Sequence, residues 1–259
     1  MTASLGFATD LALRAAEGSV VLREPGATVV RTPANPGFRW GNLLLVPQAG
    51  DPAARIAEHA AAFPGAGFTA IGVDDAHPVL DEGAWLSAGF EIERLAVLTT
   101  DRAPLASPSG VRPLAGDADW AAVTAIALAL EPEGDDDHTD FTERRTRGQR
   151  AMAEAGGAVW LGVEEDGSVV ATAGIADAGA GVARFQDVQT DAAHRRRGHA
   201  TALVAAGIGV AATRFRSARF VIVAERDGPA IGLYRRLGFR EVETQLQLTR
   251  LDPPPGLAP

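Results

Sequence analysis

Hydrophobic positions along this chain switch repeatedly between a two-residue and a helical period, and each switch marks an element. In the second half the pattern predicts a strand at Val111–Leu114 and helices at Asp117–Glu131 and Phe141–Ala155. Strands follow at Ala158–Val163 and Ser168–Ala176, joined by Glu165-Asp166-Gly167, a strong hairpin signal. A strand at Ala183–Thr190, a helix at His199–Arg214, a strand at Arg219–Ala224, a helix at Pro229–Leu237 and a strand at Arg240–Leu248 complete that half.

The first half runs through much of the same order. Strands are predicted at Ser19–Arg23, Thr28–Arg31 and Arg39–Val46, then a helix at Pro52–Phe63. A strand at Phe68–Val73, a short helix near Asp81–Ala88 and a strand at Glu91–Leu98 follow. The clearest echo sets Trp85 and Gly89-Phe90 against Tyr234 and Gly238-Phe239: an aromatic four residues before a Gly-Phe that ends a helix. An internal duplication accounts for both the echo and the order. The Pro, Ser and Gly of Asp101–Gly110 read as a linker, which divides the chain into 1–105, 106–251 and a proline-rich tail, 252–259.

Composition narrows the chemistry. The chain has 259 residues, no cysteine, and 24 basic residues that are all arginine. Thiolate and lysine nucleophiles are therefore excluded, as are disulfides and cysteine-bound metals. A net charge of −9 argues against general nucleic-acid affinity. No apolar run is long enough for a membrane span and no secretion signal is evident, which fits a cytoplasmic protein. The five histidines show no zinc spacing.

Within this acidic chain Arg195-Arg196-Arg197-Gly198 stands between an expected strand and an expected helix. The first N–H groups of a helix lack internal partners and carry partial positive charge, so this turn is a candidate phosphate site. The corresponding stretch of the first half, Val46–Asp51, has no arginine and places Asp51 before Pro52 as an N-cap. That carboxylate would repel an anion.

These residues resemble the GCN5-related N-acetyltransferase (GNAT) family. Arg195-Arg196-Arg197-Gly198-His199-Ala200 matches its signature of Gln or Arg, two free positions, Gly, one free position, and Gly or Ala. Leu233-Tyr234, followed by Gly238-Phe239, matches a second family feature, and Asp227-Gly228-Pro229-Ala230 fits Asn-x-Pro-Ala with Asp for Asn. The resemblance covers about Val111–Leu251 and is to proteins of the tandem type with a degenerate N-terminal half. It implies an α/β (α+β) fold of two GNAT-like units, each a mixed, mostly antiparallel sheet flanked by helices. Two strands, Ala183–Thr190 and Arg219–Ala224, would splay apart to admit acetyl-CoA.

By that resemblance Val188, Gln189 and Thr190 would pair with the pantetheine arm, and Arg195, Arg196, Arg197, Gly198, His199, Ala200 and Thr201 would hold the pyrophosphate. Asp227 occupies a cofactor-contact position. The implied reaction is direct transfer of an acetyl group to a primary amine of a small molecule or peptide. Tyr234, the one tyrosine of the chain, takes the general-acid position. Asp187 and Glu225 are candidate bases, and Arg184 stands where some relatives carry a catalytic Glu, so a water relay is an alternative. The acidic stretch Glu131–Asp137 would favour a cationic acceptor. A bulkier acyl donor, and a non-catalytic acyl-CoA sensor, remain open readings, as do a monomer and a homodimer.

Overall fold

The computed structural model describes residues 2–102, 110–131 and 136–252. They form two compact units that do not follow chain order. One comprises residues 1–97, 223–228 and 241–259, and the other residues 98–222 and 229–240. The tail and most of the expected linker lie outside the described residues.

The first unit opens with a helix the hydrophobic pattern did not yield, α1 (Leu5–Ala16). Its start is fixed by Ser4, whose side chain accepts from the Phe7 N–H, and by Glu243, which accepts from the Leu5 N–H at 2.7 Å. Then come β1 (Val20–Glu24), β2 (Ala27–Arg31), β3 (Leu43–Val46), α2 (Pro52–Ala62), β4 (Phe68–Val73), α3 (Glu82–Ser87) and β5 (Glu91–Thr100). Arg39–Gly41, expected within a strand, is a single 3-10 turn. The sheet order in this unit is β1-β2-β3-β4-β11-β5, where β11 (Arg240–Leu251) comes from the far end of the chain. β11 pairs antiparallel with β4 from Leu246↔Val73 to Leu251↔Phe68. Val29, Leu44, Val46, Ile71, Val73, Trp85, Phe90, Leu246 and Leu248 make its main core.

The second unit holds β6 (Val111–Pro113), α4 (Asp117–Leu130), α5 (Asp136–Glu154), β7 (Ala158–Glu165), β8 (Ser168–Asp177), β9 (Val182–Thr190), α6 (His199–Arg214), β10 (Arg219–Glu225) and α7 (Ile231–Arg236). Its sheet order is β10-β9-β8-β7-β6. Helix α5 begins five residues earlier than Phe141, with Asp136 and Asp137 in its first turn, where the helix dipole favours carboxylates. The β7–β8 hairpin turns through Asp166 and Gly167, both at positive φ (51° and 78°), as a type I′ turn requires.

Within each unit the strand pairing is mostly antiparallel. In each, the one parallel pair among the assigned registers is the pair joined through a helix: β3 with β4 across α2, and β9 with β10 across α6. The two Gly-Phe helix ends are also alike. Phe90 N–H donates to the Trp85 carbonyl and Gly89 N–H to Leu86; Phe239 N–H donates to Tyr234 and Gly238 N–H to Arg235, each at 3.0–3.1 Å. Both are Schellman closures, with glycine at φ 81° and 89° where an L side chain would be strained. The aromatic of each packs edge-on against its Phe, with ring centroids at 4.7 Å and 6.2 Å.

Candidate active site

Parallel pairing of β10 with β9 is confined to Arg219↔Val182, Phe220↔Ala183 and Val221↔Arg184, while β9 runs on to Thr190. On its other side β9 carries a bulge between Gln186 and Gln189, at which Asp187 adopts φ 43°. Within the bulge Val188 packs against the core cluster that contains Leu161 and Leu203, whereas Asp187 and Gln189 line a small cavity beside α4 and α5.

After β9 the chain makes a 3-10 turn at Ala192–His194 and enters α6 through Gly198, at φ 90°. No side chain caps this helix start, and a Cβ placed on Gly198 would meet nothing within 4 Å. The first amides of α6 therefore face open space. They form one wall of a cleft of about 480 Å³, lined by Val188–Thr190, Arg195, Arg196, Gly198–Thr201 and, from the α7 region, Pro229, Ala230, Leu233 and Arg236.

The three arginines of the turn separate. Arg195 and Arg196 line the cleft; Arg195 also donates to the Thr190 carbonyl at 3.3 Å. Arg197 turns away and binds Glu165 of the β7–β8 hairpin at 2.7 Å. The same carboxylate lies 3.1 Å from His199 and 3.8 Å from His194, so Glu165 anchors the back of the turn. Asp191 accepts from His194 and from the Ala193 N–H, and these hold its carboxyl below the usual range. Arg236, two residues beyond Tyr234, was not singled out by motif reading, because it falls in a free position of that motif.

Tyr234 is buried, at 5% exposure, and is not among the residues that line the cleft. Burial pushes its hydroxyl up to about 12, so it keeps its proton at neutral pH.

A second, smaller cavity of about 200 Å³ opens between α4, α5 and β9. Val123, Ala127, Leu130 and Phe141 give it an apolar side; Glu131, His138, Arg145, Gln149, Asp187 and Gln189 give it a polar one. Leu130 and Gln189 line both this cavity and the cleft, so the two adjoin. The carboxylate of Asp187 accepts from Arg145 at 2.8 and 3.1 Å and from Gln149 at 2.5 Å. These bonds tie the bulge of β9 to α5. Glu225 and Asp227 group with the first unit. There Glu225 adds to the burial that raises the carboxyl of Glu93. Arg184 is buried and donates to the Phe185 carbonyl. Of the acidic stretch, Asp136 and Asp137 lie on α5, and residues 132–135 are outside the described residues.

Residues 120–239 match the sequence profile of the Acetyltransferase (GNAT) family. No curated protein matches the chain in sequence. Among solved structures, the chain is similar to a functionally unknown conserved protein of Staphylococcus epidermidis, with a TM-score of 0.69, 12% identity, and coverage of 91% of this chain and 95% of that one. It is also similar to a GCN5-related N-acetyltransferase of Kribbella flavida, with a TM-score of 0.62, 18% identity, and 98% of each chain covered. A tandem GNAT protein from the clavulanic acid biosynthesis pathway aligns with a TM-score of 0.51 and 16% identity over 97% of this chain and 95% of that one. At these identities the structural likeness speaks to fold. No helix among the described residues is long and apolar enough to cross a membrane. The profile match over residues 120–239, a little under half of the chain, and the likeness of fold make this segment similar to acetyltransferase domains of the GNAT family.

Proposed function

We propose that the second unit is an N-acetyltransferase that moves the acetyl group of acetyl-CoA to a primary amine of a small molecule or peptide. One observation carries this reading: an uncapped helix start and two arginines of the turn line a cleft beside the part of β9 that has no register with β10. The donor set suits a coenzyme A thioester. Backbone groups on the side of β9 that β10 does not pair can bind the amide groups of an extended arm, and Gly198 leaves room for phosphate oxygens at the start of α6. Acetyl-CoA supplies the activated acetyl group as a thioester.

The chain's own residues then divide the work. Val188, Gln189 and Thr190 position the arm through their backbone, and the Val188 N–H can meet charge that develops on the carbonyl oxygen. Arg195, Arg196 and the amides up to Thr201 hold the pyrophosphate. Arg197 supports the turn through Glu165. Tyr234, protonated at neutral pH, supplies a proton to the departing sulfur. The 200 Å³ cavity receives the acceptor at its junction with the cleft.

The test mixes the protein with acetyl-CoA and a panel of amines and follows thiol release. Turnover that falls in Tyr234→Phe, with CoA affinity retained, supports the enzyme. Asp227 in place of the family's Asn and the lack of an evident base favour a sensor, and saturable CoA binding without turnover on any amine would establish that instead.

A further inference from the structure

We propose that His138 is the general base for the acceptor amine, oriented by Glu131; this rests on the acetyltransferase reading above. The role of base is open. Asp187 is held by Arg145 and Gln149, and Glu225 does not line the small cavity. Of the five histidines only His138 lines the small cavity, whereas His194 and His199 line the cleft and turn to Asp191 and Glu165.

His138 sits in the first turn of α5 with its ring 6.2 Å from that of Phe141, another wall of the cavity. Its Nδ1 is 3.3 Å from Glu131 Oε2, at the end of α4. When Nδ1–H donates to that carboxylate, Nε2 carries the lone pair, and the carboxylate stabilises the imidazolium that forms on protonation. The charged groups that share the cavity are Glu131 from the end of α4, Arg145 from α5 and Asp187 from β9. His138 is part of the wall of this cavity of about 200 Å³, with its Nε2 buried, so an amine that enters the cavity approaches the ring.

The step balances. The amine nitrogen forms a bond to the thioester carbon and gives one proton to His138; the carbon–sulfur bond breaks, and the sulfur takes its proton from Tyr234. Proton return from His138 to Tyr234 through solvent restores both groups and leaves one amide and one thiol.

The experiment measures kcat/KM against pH for the wild type, His138→Gln and Glu131→Gln, with CoA affinity and thermal unfolding recorded for each. The expected result is a loss of about 100-fold near pH 7 in His138→Gln, in the range typical of a general base, with the enzyme's acid limb abolished. CoA affinity should not change, because His138 does not line the cleft. Glu131→Gln should lose about fivefold to tenfold and move the acid limb, as an orienting residue would. If His138→Gln does not fold, the limb in Glu131→Gln decides the matter. A His138→Gln profile that superimposes on the wild type overturns the proposal alone. A wild type that turns over no amine overturns it together with the reading beneath it.

Discussion

The same strand–turn–helix crossing occurs in both units, and its two versions differ at every point a phosphate would touch. In the first unit β3 and β4 stay paired to their ends at Val46↔Val73, and the Asp74 N–H continues the closure onto the Val46 carbonyl at 2.7 Å. Asp51 then caps α2 by accepting from the Ala54 N–H at 2.9 Å, and Arg55 fills the turn by donating to the carbonyls of Gln48 and Ala49. In the second unit the register of β9 with β10 stops six residues before the end of β9, the helix begins at an uncapped glycine, and arginines line the space beyond. The backbone scheme is shared, so it does not by itself make an anion site. A helix terminus becomes one only when the chain leaves it unsatisfied.

The sharpest way to break this contrast is to give α6 the cap that α2 has. Gly198→Asp should weaken CoA binding by roughly 100-fold or more in calorimetry, since it sets a carboxylate against phosphate oxygens. Gly198→Ala, which carries the same backbone strain at φ 90° without the charge, separates the two effects. Equal losses in both would show that conformation and not charge matters.

Next in size is the pair of aromatics. Tyr234→Phe should lower kcat about tenfold to a hundredfold with little change in stability. Trp85→Phe in the equivalent place should leave kcat alone and cost about 1–3 kcal/mol of unfolding free energy in the first unit. Alkali offers an independent check on Tyr234. Its folded value, about 12, lies above the ordinary 10.0, so the unfolded chain loses the proton first. Stability should be intact below about pH 10 and fall by ~2–3 kcal/mol as pH rises through 12; Tyr234→Phe should flatten that fall.

A smaller effect is expected at the first crossing. Asp51→Ala should cost about 1 kcal/mol in denaturant unfolding. It should create no CoA site, because Arg55 and the continuous β3–β4 pairing remain. Gain of CoA binding by an isolated substitution there would mean that the cap alone had closed it.

Acid should act on the first unit most gently of all. His59 is buried between Phe63 and Phe68, and burial lowers its pKa below 6.5, although the Asn42 carbonyl and Asp252 oppose this. The unfolded chain therefore takes up a proton that the fold refuses. This contribution is whole above about pH 6.5 and is lost as pH falls below it. His59→Phe should remove that part of the slope in acid unfolding curves.

Much of this contrast could be read from the chain itself. Asp51 before Pro52, Asp166-Gly167 in the hairpin and the two Gly-Phe helix ends each act through residues a few positions apart, so their sequence signals are complete. Helix α1 was missed although Ser4 marks its start, and α5 was begun too late because Asp136 and Asp137 read as a loop. What remained hidden is non-local. Nothing near Arg197 announces its bond to Glu165, 32 positions earlier, and nothing near His138 places it on the wall of a cavity completed by β9. The engagement of Asp187 with Arg145 likewise depends on how α5 crosses the sheet.

The placement of β11 bears on how the protein is made. The first unit needs Leu246–Leu251 against Phe68–Val73, partners roughly 180 residues apart, so its sheet cannot be completed while those late residues are still within the ribosome. Until then β4 presents an unpaired apolar edge on the nascent chain, a surface that chaperones would be expected to shield. Slow codons or a pause placed before residue 240 should lengthen that exposure, and aggregation during synthesis, not loss of final stability, would be its mark.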